Sequence, residues 1–191
     1  MENIKDAEIT LEPLSSDDVE AFIADNQRAF KYGALEEFGM RDDHLDADGE
    51  IISRKTIEKS IYSPGNESYR IVFNGRKVGG VVLKIDRKTN RNHLELFFVA
   101  PEEHGRGIGF AAWKQVEKLY PQTEVWETFT PYFEKRNIHF YINKCGFSAV
   151  EFYGEFHRFP ANQEDDEEEE EGPSEMLRFE KIMKRDAFGA E

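Results

Sequence analysis

A glycine-rich segment between an apolar strand and a helix is the feature that most limits the folds open to this 191-residue chain. The pattern "NHLELFFVA" over 92–100 predicts a buried strand, and apolar residues at helical spacing follow from Ile108. Gly105, Gly107 and Gly109 stand between them, where the helix begins. Glycine is unfavourable inside a helix, so three of them predict a backbone that comes close to something. In α/β sheets such strand-to-helix loops are where ligands bind.

The rest of the chain reads as short strands and helices around this unit. Alternating or continuous apolar runs predict strands over 7–14, 69–73, 77–86, 92–100, 123–130, 147–157 and 174–183, and helical spacing predicts helices over 15–30, 53–62, 108–119 and 134–144. Asn74-Gly75 predicts a hairpin turn, and Gly146 predicts a helix end. The order β-α-α-β-β-β-α-β-α-β-β predicts an α/β fold, a mixed sheet with helices on both faces.

Composition sets the class of protein and excludes several partners. Hydrophobic residues make up 39% of the chain, which is enough for one packed domain over residues 1–191. The net charge is −14, but the eight acids of 164–171 carry much of it, since the other 31 acidic and 25 basic residues leave −6. This acidic balance argues against nucleic acid or an anionic membrane as a partner. We expect the acidic stretch 162–173 to be a solvated loop between the last two strands, or a surface that attracts a cationic acceptor.

Cysteine usage and hydropathy favour a cytoplasmic protein. Cys145 is the one cysteine of the sequence, so no intrachain disulfide forms, and we expect it to be a small packing residue. No apolar stretch approaches the roughly 20 residues of a membrane span, and the N-terminal residues lack the apolar core of a signal peptide. The segment "HLDADGE" is similar to a calcium loop, but His44 and Lys55 occupy its two end positions, so no metal site is predicted.

The glycine loop, residues 104–109, favours a ligand that carries phosphate. Free backbone amides and the helix dipole attract anions at a helix N-terminus, although a tight turn without a ligand is the alternative. Two common phosphate motifs are absent from this loop. It has no Gly-Lys-Ser/Thr, and Phe110 stands where G-x-G-x-x-G requires its last glycine.

Two segments resemble the GNAT superfamily of N-acetyltransferases. "FFVAPEEHGRGIGFAAW" (97–113) resembles its acetyl-CoA-binding segment, in which a strand ending in Val precedes Gln/Arg-x-x-Gly-x-Gly/Ala and a helix. Val99 ends the strand here, and His104 departs from the family's Gln or Arg. "NIHFYINKCGF" (137–147) is similar to the downstream pattern N-x-x-x-x-F-Y-x-x-x-G-F, shifted by one residue. The resemblance covers residues 68–157 and implies the GNAT fold, with a mostly antiparallel sheet of about seven strands.

The resemblance also implies an activity and a site. The expected reaction is direct transfer of the acetyl group of acetyl-CoA, as co-substrate, to a primary amine in a ternary complex. Tyr141 is the expected acid for the leaving thiolate, and Glu95 is the expected base, with Glu127 or a water as alternatives. We expect apolar neighbours to raise the pKa of Glu95. The strands carrying Glu95 and Glu127 are expected to diverge and admit the pantetheine arm. The residues expected to bind acetyl-CoA are Phe98, Val99, His104, Gly105, Arg106, Gly107, Ile108, Gly109, Phe110 and Asn137.

Three expectations about the acceptor and the rival functions stay open at this stage. The acceptor is a small-molecule or peptide amine, with a cationic one favoured by the acidic run, and a homodimer is allowed. The aromatic residues Trp126, Phe129, Tyr132, Phe133 and Phe156 line the acceptor pocket or belong to the core. The rival functions are a non-catalytic acyl-CoA-binding regulatory protein of the same fold and an interaction protein that uses the acidic loop.

Overall fold

A computed structural model of the chain describes residues 9–37, 48–158 and 175–183. The strands in this part are β1 (Ile9–Pro13), β2 (Asn66–Phe73), β3 (Arg76–Lys84), β4 (Arg91–Val99), β5 (Val125–Pro131), β6 (Ser148–Tyr153) and β7 (Met176–Ile182). The helices are α1 (Val19–Lys31), α2 (Arg54–Tyr62), α3 (Ile108–Leu119) and α4 (Lys135–His139), with π-helical extensions of α1 (Tyr32–Glu37) and of α4 (Phe140–Cys145). The acidic run 164–171 and residues 44–47 lie outside the described residues. The predicted order of strands and helices is confirmed.

The described strands form one seven-stranded sheet in the order β1-β2-β3-β4-β5-β7-β6. Every neighbouring pair is antiparallel except β4 and β5, which run parallel because α3 carries the chain back between them. The expected mostly antiparallel, mixed sheet is therefore confirmed. Its one parallel pair follows directly from the strand–loop–helix unit that the glycines mark.

Helices cover both faces of the sheet. On one face, Trp113 and Val116 of α3 pack with Leu94 and Trp126 in a core that also takes in the extension of α4. On the other face, the helices α1 and α2 cover the middle of the sheet, and their apolar residues pack on β3 and β4. Alternate residues of a strand point to opposite faces, so the central strands are apolar on both sides.

A bulge in β4 changes which face its side chains take. Leu94 pairs with Leu83 of β3, whereas Leu96 pairs with Val82, so Glu95 is an extra residue in the ladder. Leu94 lies in the core under α3, and Leu96 lies in the core under α1. In a regular strand these two leucines would share one face, so the bulge at Glu95 reverses the alternation.

The strands β4 and β5 separate halfway along their length. Their parallel pairing runs from Arg91 opposite Val125 to Leu94 opposite Thr128 and then stops. At that point the Thr128 hydroxyl donates a 2.9 Å hydrogen bond to the Leu94 carbonyl. Beyond it β4 stays with β3 and β5 stays with β7, so the sheet opens between them. The predicted divergence of these strands is confirmed.

Candidate active site

A cavity of about 480 Å³ lies along the second half of β4, beyond the point where β4 and β5 separate. Its wall combines the second half of β4, the glycine loop, the end of α1 and the α4 helix with its extension. Nine of the ten residues expected to bind acetyl-CoA line it: Phe98, Val99, His104, Gly105, Gly107, Ile108, Gly109, Phe110 and Asn137. Residues that are 39 positions apart, from Phe98 to Asn137, are thus brought to one wall.

Backbone conformation explains two of the three loop glycines. Gly105 and Gly107 have φ of +75° and +80°, in the left-handed region, and a Cβ added to either would meet no atom within 4 Å. Gly107 is also the residue before the first turn of α3. Left-handed residues at such a position let successive N–H groups converge on an anion. The loop therefore has the backbone conformation that an anion site would require, and anion binding at it stays a prediction.

Gly109 has a different role, in packing. A Cβ there would lie 3.4 Å from the Phe140 ring, at the near end of ordinary van der Waals contact. Phe140 in turn stacks on Phe97 of β4, with ring centroids 5.7 Å apart. Gly109 and these two aromatic rings therefore lie together in the cavity wall.

His104 links the end of β4 to α4. Its Nε2 lies 2.9 Å from the Val99 carbonyl oxygen, and its Nδ1 lies 2.5 Å from Nη1 of Arg136. A guanidinium can only donate, so Nδ1 accepts, and Nε2–H donates to Val99. The ring is therefore neutral with its proton on Nε2. The one position that departs from the family pattern thus makes two specific contacts.

The side chain of Arg106 does not line the cavity. Its guanidinium pairs with Glu103 and stacks over the Phe73 ring, 5.1 Å from the centroid. Glu103 is 5% exposed and also accepts a 2.9 Å hydrogen bond from Arg76. Among the described residues, the permanent cations that do line the cavity are Arg136 and Lys144, and the sequence pattern singled out neither of them. For a single arginine on a helix, the sequence pattern does not show whether the side chain will line a cavity or point into solvent.

Tyr141 lies in the core beside the point where the strands separate. It is 6% exposed and packs against Phe147 and Phe179, while its neighbour Phe140 lines the cavity. Burial raises the pKa of Tyr141 far above its ordinary value, the charge of Cys145 adds to the effect, and a contact with the Thr128 hydroxyl opposes it. The tyrosine therefore keeps its proton at neutral pH.

The extension of α4 absorbs the one-residue shift in the second motif. Four residues separate Tyr141 from Gly146, one more than in the family pattern, and the chain takes a π-helical form over Phe140–Cys145. The wider π-helical turn accommodates an extra residue, and such turns are frequent at functional sites. Gly146, at φ +78°, ends the helix as predicted, and the Tyr141 carbonyl accepts a 2.9 Å hydrogen bond from the Phe147 N–H.

Glu95 and Glu127 lie in a group of charged side chains outside the cavity lining. Nδ1 of His93 is 3.2 Å from the Glu95 carboxylate, within ion-pair distance but without hydrogen-bond alignment, and its Nε2 is 3.8 Å from Glu127. Burial by itself raises the pKa of Glu95, but His93 and the charge of Lys84 lower it more. Its pKa therefore lies below the ordinary value, so the expected upward shift was wrong.

Arg178 of β7 connects these residues to β6. It donates to Glu127 at 2.6 Å, to Glu180 at 2.7 Å and to Glu151 at 2.8 Å. We call the four glutamates at 95, 127, 151 and 180, with His93 and Arg178, the carboxylate cluster. Three of its acids share Arg178 as a cationic partner. For Glu151, the contacts with His157, Tyr153 and Arg178 lower the pKa of the carboxyl to about 2.

The aromatic residues considered for an acceptor pocket fall in different places. Trp126 is fully buried under α3, with its ring 5.3 Å from that of Trp113, so it belongs to the core. Phe129 lies over the other face, 5.3 Å from the His93 ring. Phe156 is 97% exposed. Of the set, Phe129 is the residue that borders the carboxylate cluster.

Among residues 9–37, 48–158 and 175–183, no group of three His, Cys, Asp or Glu side chains is arranged to hold a metal ion. None of the helices in those ranges is both long enough and apolar enough to cross a membrane.

Comparison with known proteins agrees with this geometry. The sequence matches the acetyltransferase (GNAT) family over residues 26–147. It is 43% identical over 188 residues to the uncharacterized protein YrkN of Bacillus subtilis (strain 168), covering 97% of this chain and 99% of that protein.

Two solved structures share the fold at low sequence identity. The ribosomal-protein-S18-alanine N-acetyltransferase of Escherichia coli matches with a TM-score of 0.64 and 14% identity, over 96% of this chain and 99% of that one. Spermidine N-acetyltransferase of Vibrio cholerae, in complex with CoA and spermine, matches with a TM-score of 0.61 and 15% identity, over 92% and 96%. The motifs, the separated strands and these matches agree: the chain belongs to the GNAT acetyltransferase family.

Proposed function

We propose that the protein is an acetyl-CoA-dependent N-acetyltransferase that acts on a primary amine by direct attack in a ternary complex. The observation that carries the proposal is the cavity at the opening between β4 and β5, with the glycine loop in its wall. Its volume of about 480 Å³ lies within the range of small-molecule sites, about 300–1,000 Å³. Members of the family use acetyl-CoA, and one structure of the same fold holds CoA.

The second half of β4 is suited to hold the thioester end of acetyl-CoA. The Ala100 N–H bonds to Val78 of β3, so by the alternation of an antiparallel pair the N–H and C=O of Val99 point to the open side. The Val99 carbonyl accepts from His104 there, which leaves its N–H as the donor for the thioester carbonyl. The pyrophosphate then falls at the amides of the glycine loop, where the left-handed residues support an anion.

Tyr141 and Glu95 are the proposed acid and base. When the amine nitrogen bonds to the acetyl carbon and the C–S bond breaks, the thiolate needs a proton, and the raised pKa of Tyr141 means that its hydroxyl carries one. Tyr141 does not line the cavity, so we place it behind Thr128, at the start of the opening. Glu95 is favoured over Glu127 because a 2.6 Å bond ties Glu127 to Arg178. Its lowered pKa keeps Glu95 ionised and able to take a proton from the attacking amine, directly or through water.

The proposed acceptor is a small-molecule or peptide amine that is cationic before reaction. The two neighbours of the same fold are named for alanine and spermidine acetylation, and both of those groups are amines. The carboxylate cluster lies beside the opening, on the side away from α3. A non-catalytic acyl-CoA-binding protein would share the cavity, but the presence of Tyr141 and Glu95 favours an enzyme.

A coupled binding and turnover experiment tests this proposal. CoA binding is measured by calorimetry, and thiol release from acetyl-CoA is followed with polyamines, amino acids, aminoglycosides and peptides as acceptors. We expect saturable CoA binding and acceptor-dependent thiol release with at least one amine. Absence of CoA binding would overturn the proposal, and binding without turnover across the whole panel would support the non-catalytic alternative.

Substitution of Tyr141 tests the assignment of the acid. Tyr141→Phe removes the hydroxyl and keeps the buried ring, so we expect kcat to fall about 100-fold, which is in the range of general acid catalysis, with CoA affinity unchanged. Steady-state kinetics and calorimetry on the same preparation separate the two effects. A variant that turns over at the wild-type rate would remove Tyr141 from the mechanism without affecting the proposed reaction.

A further inference from the structure

A pyrophosphate in the cavity would carry negative charge that a cation beside the amides of the glycine loop would help to neutralise. Guanidinium groups bind phosphate through charged, bidentate hydrogen bonds. Arg106 is the loop's own arginine, but its guanidinium pairs with Glu103 and covers Phe73. Among the described residues that line the cavity, the permanent cations are Arg136 and Lys144. The choice therefore lies between these two side chains of α4 and its extension.

Arg136 is attached to the glycine loop, whereas Lys144 is exposed near the far end of the extension. The 2.5 Å hydrogen bond from Nη1 of Arg136 ends on Nδ1 of His104, the residue directly before Gly105. The other ring nitrogen of His104 donates to the Val99 carbonyl at 2.9 Å. The guanidinium is thus tied through one ring to the end of β4, next to the place proposed for the pyrophosphate.

The acidic side chain of Glu103 is neutralised in a way that favours an anion here. Glu103 lines the same cavity and is 5% exposed, so its charge alone would repel phosphate. Arg106 and Arg76 both pair with it. The arginine inside the motif therefore compensates a buried carboxylate, whereas Arg136 lines the cavity itself.

We infer that Arg136 is the cation that binds the pyrophosphate of acetyl-CoA, and that His104 is a positioning residue that holds it in place. The inference rests on the proposed function, since it assigns a role within the same cavity. It also accounts for the departure from the family pattern: where a Gln or Arg is usual, this chain has a ring that contacts the Val99 carbonyl and an arginine from α4 at once. In this arrangement Arg136 of α4 supplies at the loop the charge that an arginine at position 104 would supply from within it.

Binding of CoA fragments to Arg136→Gln tests the assignment without requiring turnover. The probes are CoA, dephospho-CoA, which keeps the pyrophosphate, and pantetheine, which has no phosphate. We expect the affinity of the variant for CoA and for dephospho-CoA to fall about 10- to 100-fold, the range for a lost hydrogen bond to a charged group, with pantetheine unaffected. The matched control is Arg54→Gln, which removes an arginine exposed on α2 and should leave all three affinities unchanged.

Three results of this titration would overturn the inference. One is an unchanged affinity of Arg136→Gln for CoA while wild-type CoA binding is intact. Another is an equal loss for pantetheine, which would show a general distortion of the cavity. The third is a loss for CoA alone, with dephospho-CoA unaffected, which would place Arg136 at the 3′-phosphate. Failure of the wild type to bind CoA would instead overturn the proposed function.

Two variants of His104 test its positioning role. A Gln side chain can donate to Val99 and accept from Arg136, so His104→Gln should keep CoA affinity within about threefold of wild type. His104→Leu removes both bonds and should weaken CoA binding about tenfold, with a raised KM for acetyl-CoA and little change in kcat. The double variant His104→Leu with Arg136→Gln should bind CoA no more weakly than Arg136→Gln alone, because both substitutions remove the same interaction. Additive losses, or equal losses in the Gln and Leu variants, would contradict the positioning role.

Discussion

The two sides of the opening between β4 and β5 differ in how their charges are satisfied. On the cavity side the wall presents glycine-loop amides, Arg136 and Lys144, and of its two glutamates, Glu103 and Glu134, the first is paired with two arginines. In the carboxylate cluster, by contrast, Arg178 alone contacts three glutamates. The cavity side thus presents groups that can face an anion, whereas the carboxylate cluster shares one guanidinium among three carboxylates.

This difference shows how unequally a structure specifies the two substrates of the proposed reaction. The proposed phosphate site consists of a left-handed backbone conformation and a tethered guanidinium, and the protein forms both through its own contacts. Recognition of a cationic amine depends on which carboxylates exchange an existing ion pair for one with the amine, and exposed ion pairs differ little in free energy. The cavity side therefore supports sharper predictions than the carboxylate cluster does.

The largest expected effect separates the two candidate bases. Glu95→Gln should lower kcat about 100-fold, because it removes a proton acceptor while preserving size, and general bases contribute on that scale. Glu127→Gln should lower kcat only a few-fold, since Arg178 keeps two other carboxylate partners. Steady-state kinetics with a saturating amine measures both. If Glu127→Gln proves the more damaging, the assignment of the two residues is reversed.

The glycine loop predicts an intermediate effect on binding. Gly107→Val places a β-branched residue at φ +80°, which should weaken CoA binding about tenfold or more and cost about 1–3 kcal/mol of stability. Gly75→Val is the matched control, because Gly75 in the β2–β3 hairpin has φ +74° and equally open surroundings. It should lose similar stability in urea unfolding and keep its CoA affinity. Equal losses of affinity in both variants would show that strain alone, and not the loop, controls binding.

The smallest effect concerns the pH dependence of stability. The folded state holds the pKa of Glu95 below its ordinary 4.5, since His93 and Lys84 outweigh the opposing effect of burial. A lowered pKa means that this stabilisation is complete above the unfolded value and is lost as the pH falls through the folded value. Between about pH 5 and pH 3, the urea midpoint of wild type should therefore fall more than that of Glu95→Gln. Parallel curves for the two proteins would contradict the shift.

Local sequence patterns predicted the elements because their causes are local. Ser53, placed at the start of the predicted helix 53–62, caps α2 by accepting a 3.1 Å hydrogen bond from the Thr56 N–H. Asn74-Gly75 forms the hairpin, and both residues have positive φ. Gly105 and Gly107 adopt left-handed conformations, which glycine reaches without steric cost. Each of these features depends on the chain within a few residues of itself.

The direction of side chains was harder to predict, because it depends on elements far away in sequence. Glu95 was expected to have a raised pKa from its apolar neighbours, but His93 on the same strand and Lys84 on β3 lower that pKa. Arg106 was expected near phosphate, but Glu103 and Phe73 hold it elsewhere. The sequence around Arg106 does not show that Glu103 is buried in the fold and pairs with this arginine.

The sequence by itself determined the family, the order of the elements and the segments that form the cavity wall. The period of the apolar residues and the positions of glycines and capping residues carry that information, because each of them determines the conformation of a single turn, helix or strand. Only the tertiary structure decided which charged groups face the cavity, because Arg136 and His104 are 32 residues apart and meet only when α4 packs beside β4. Pairing between distant charges is set by packing, and packing is a property of the whole fold.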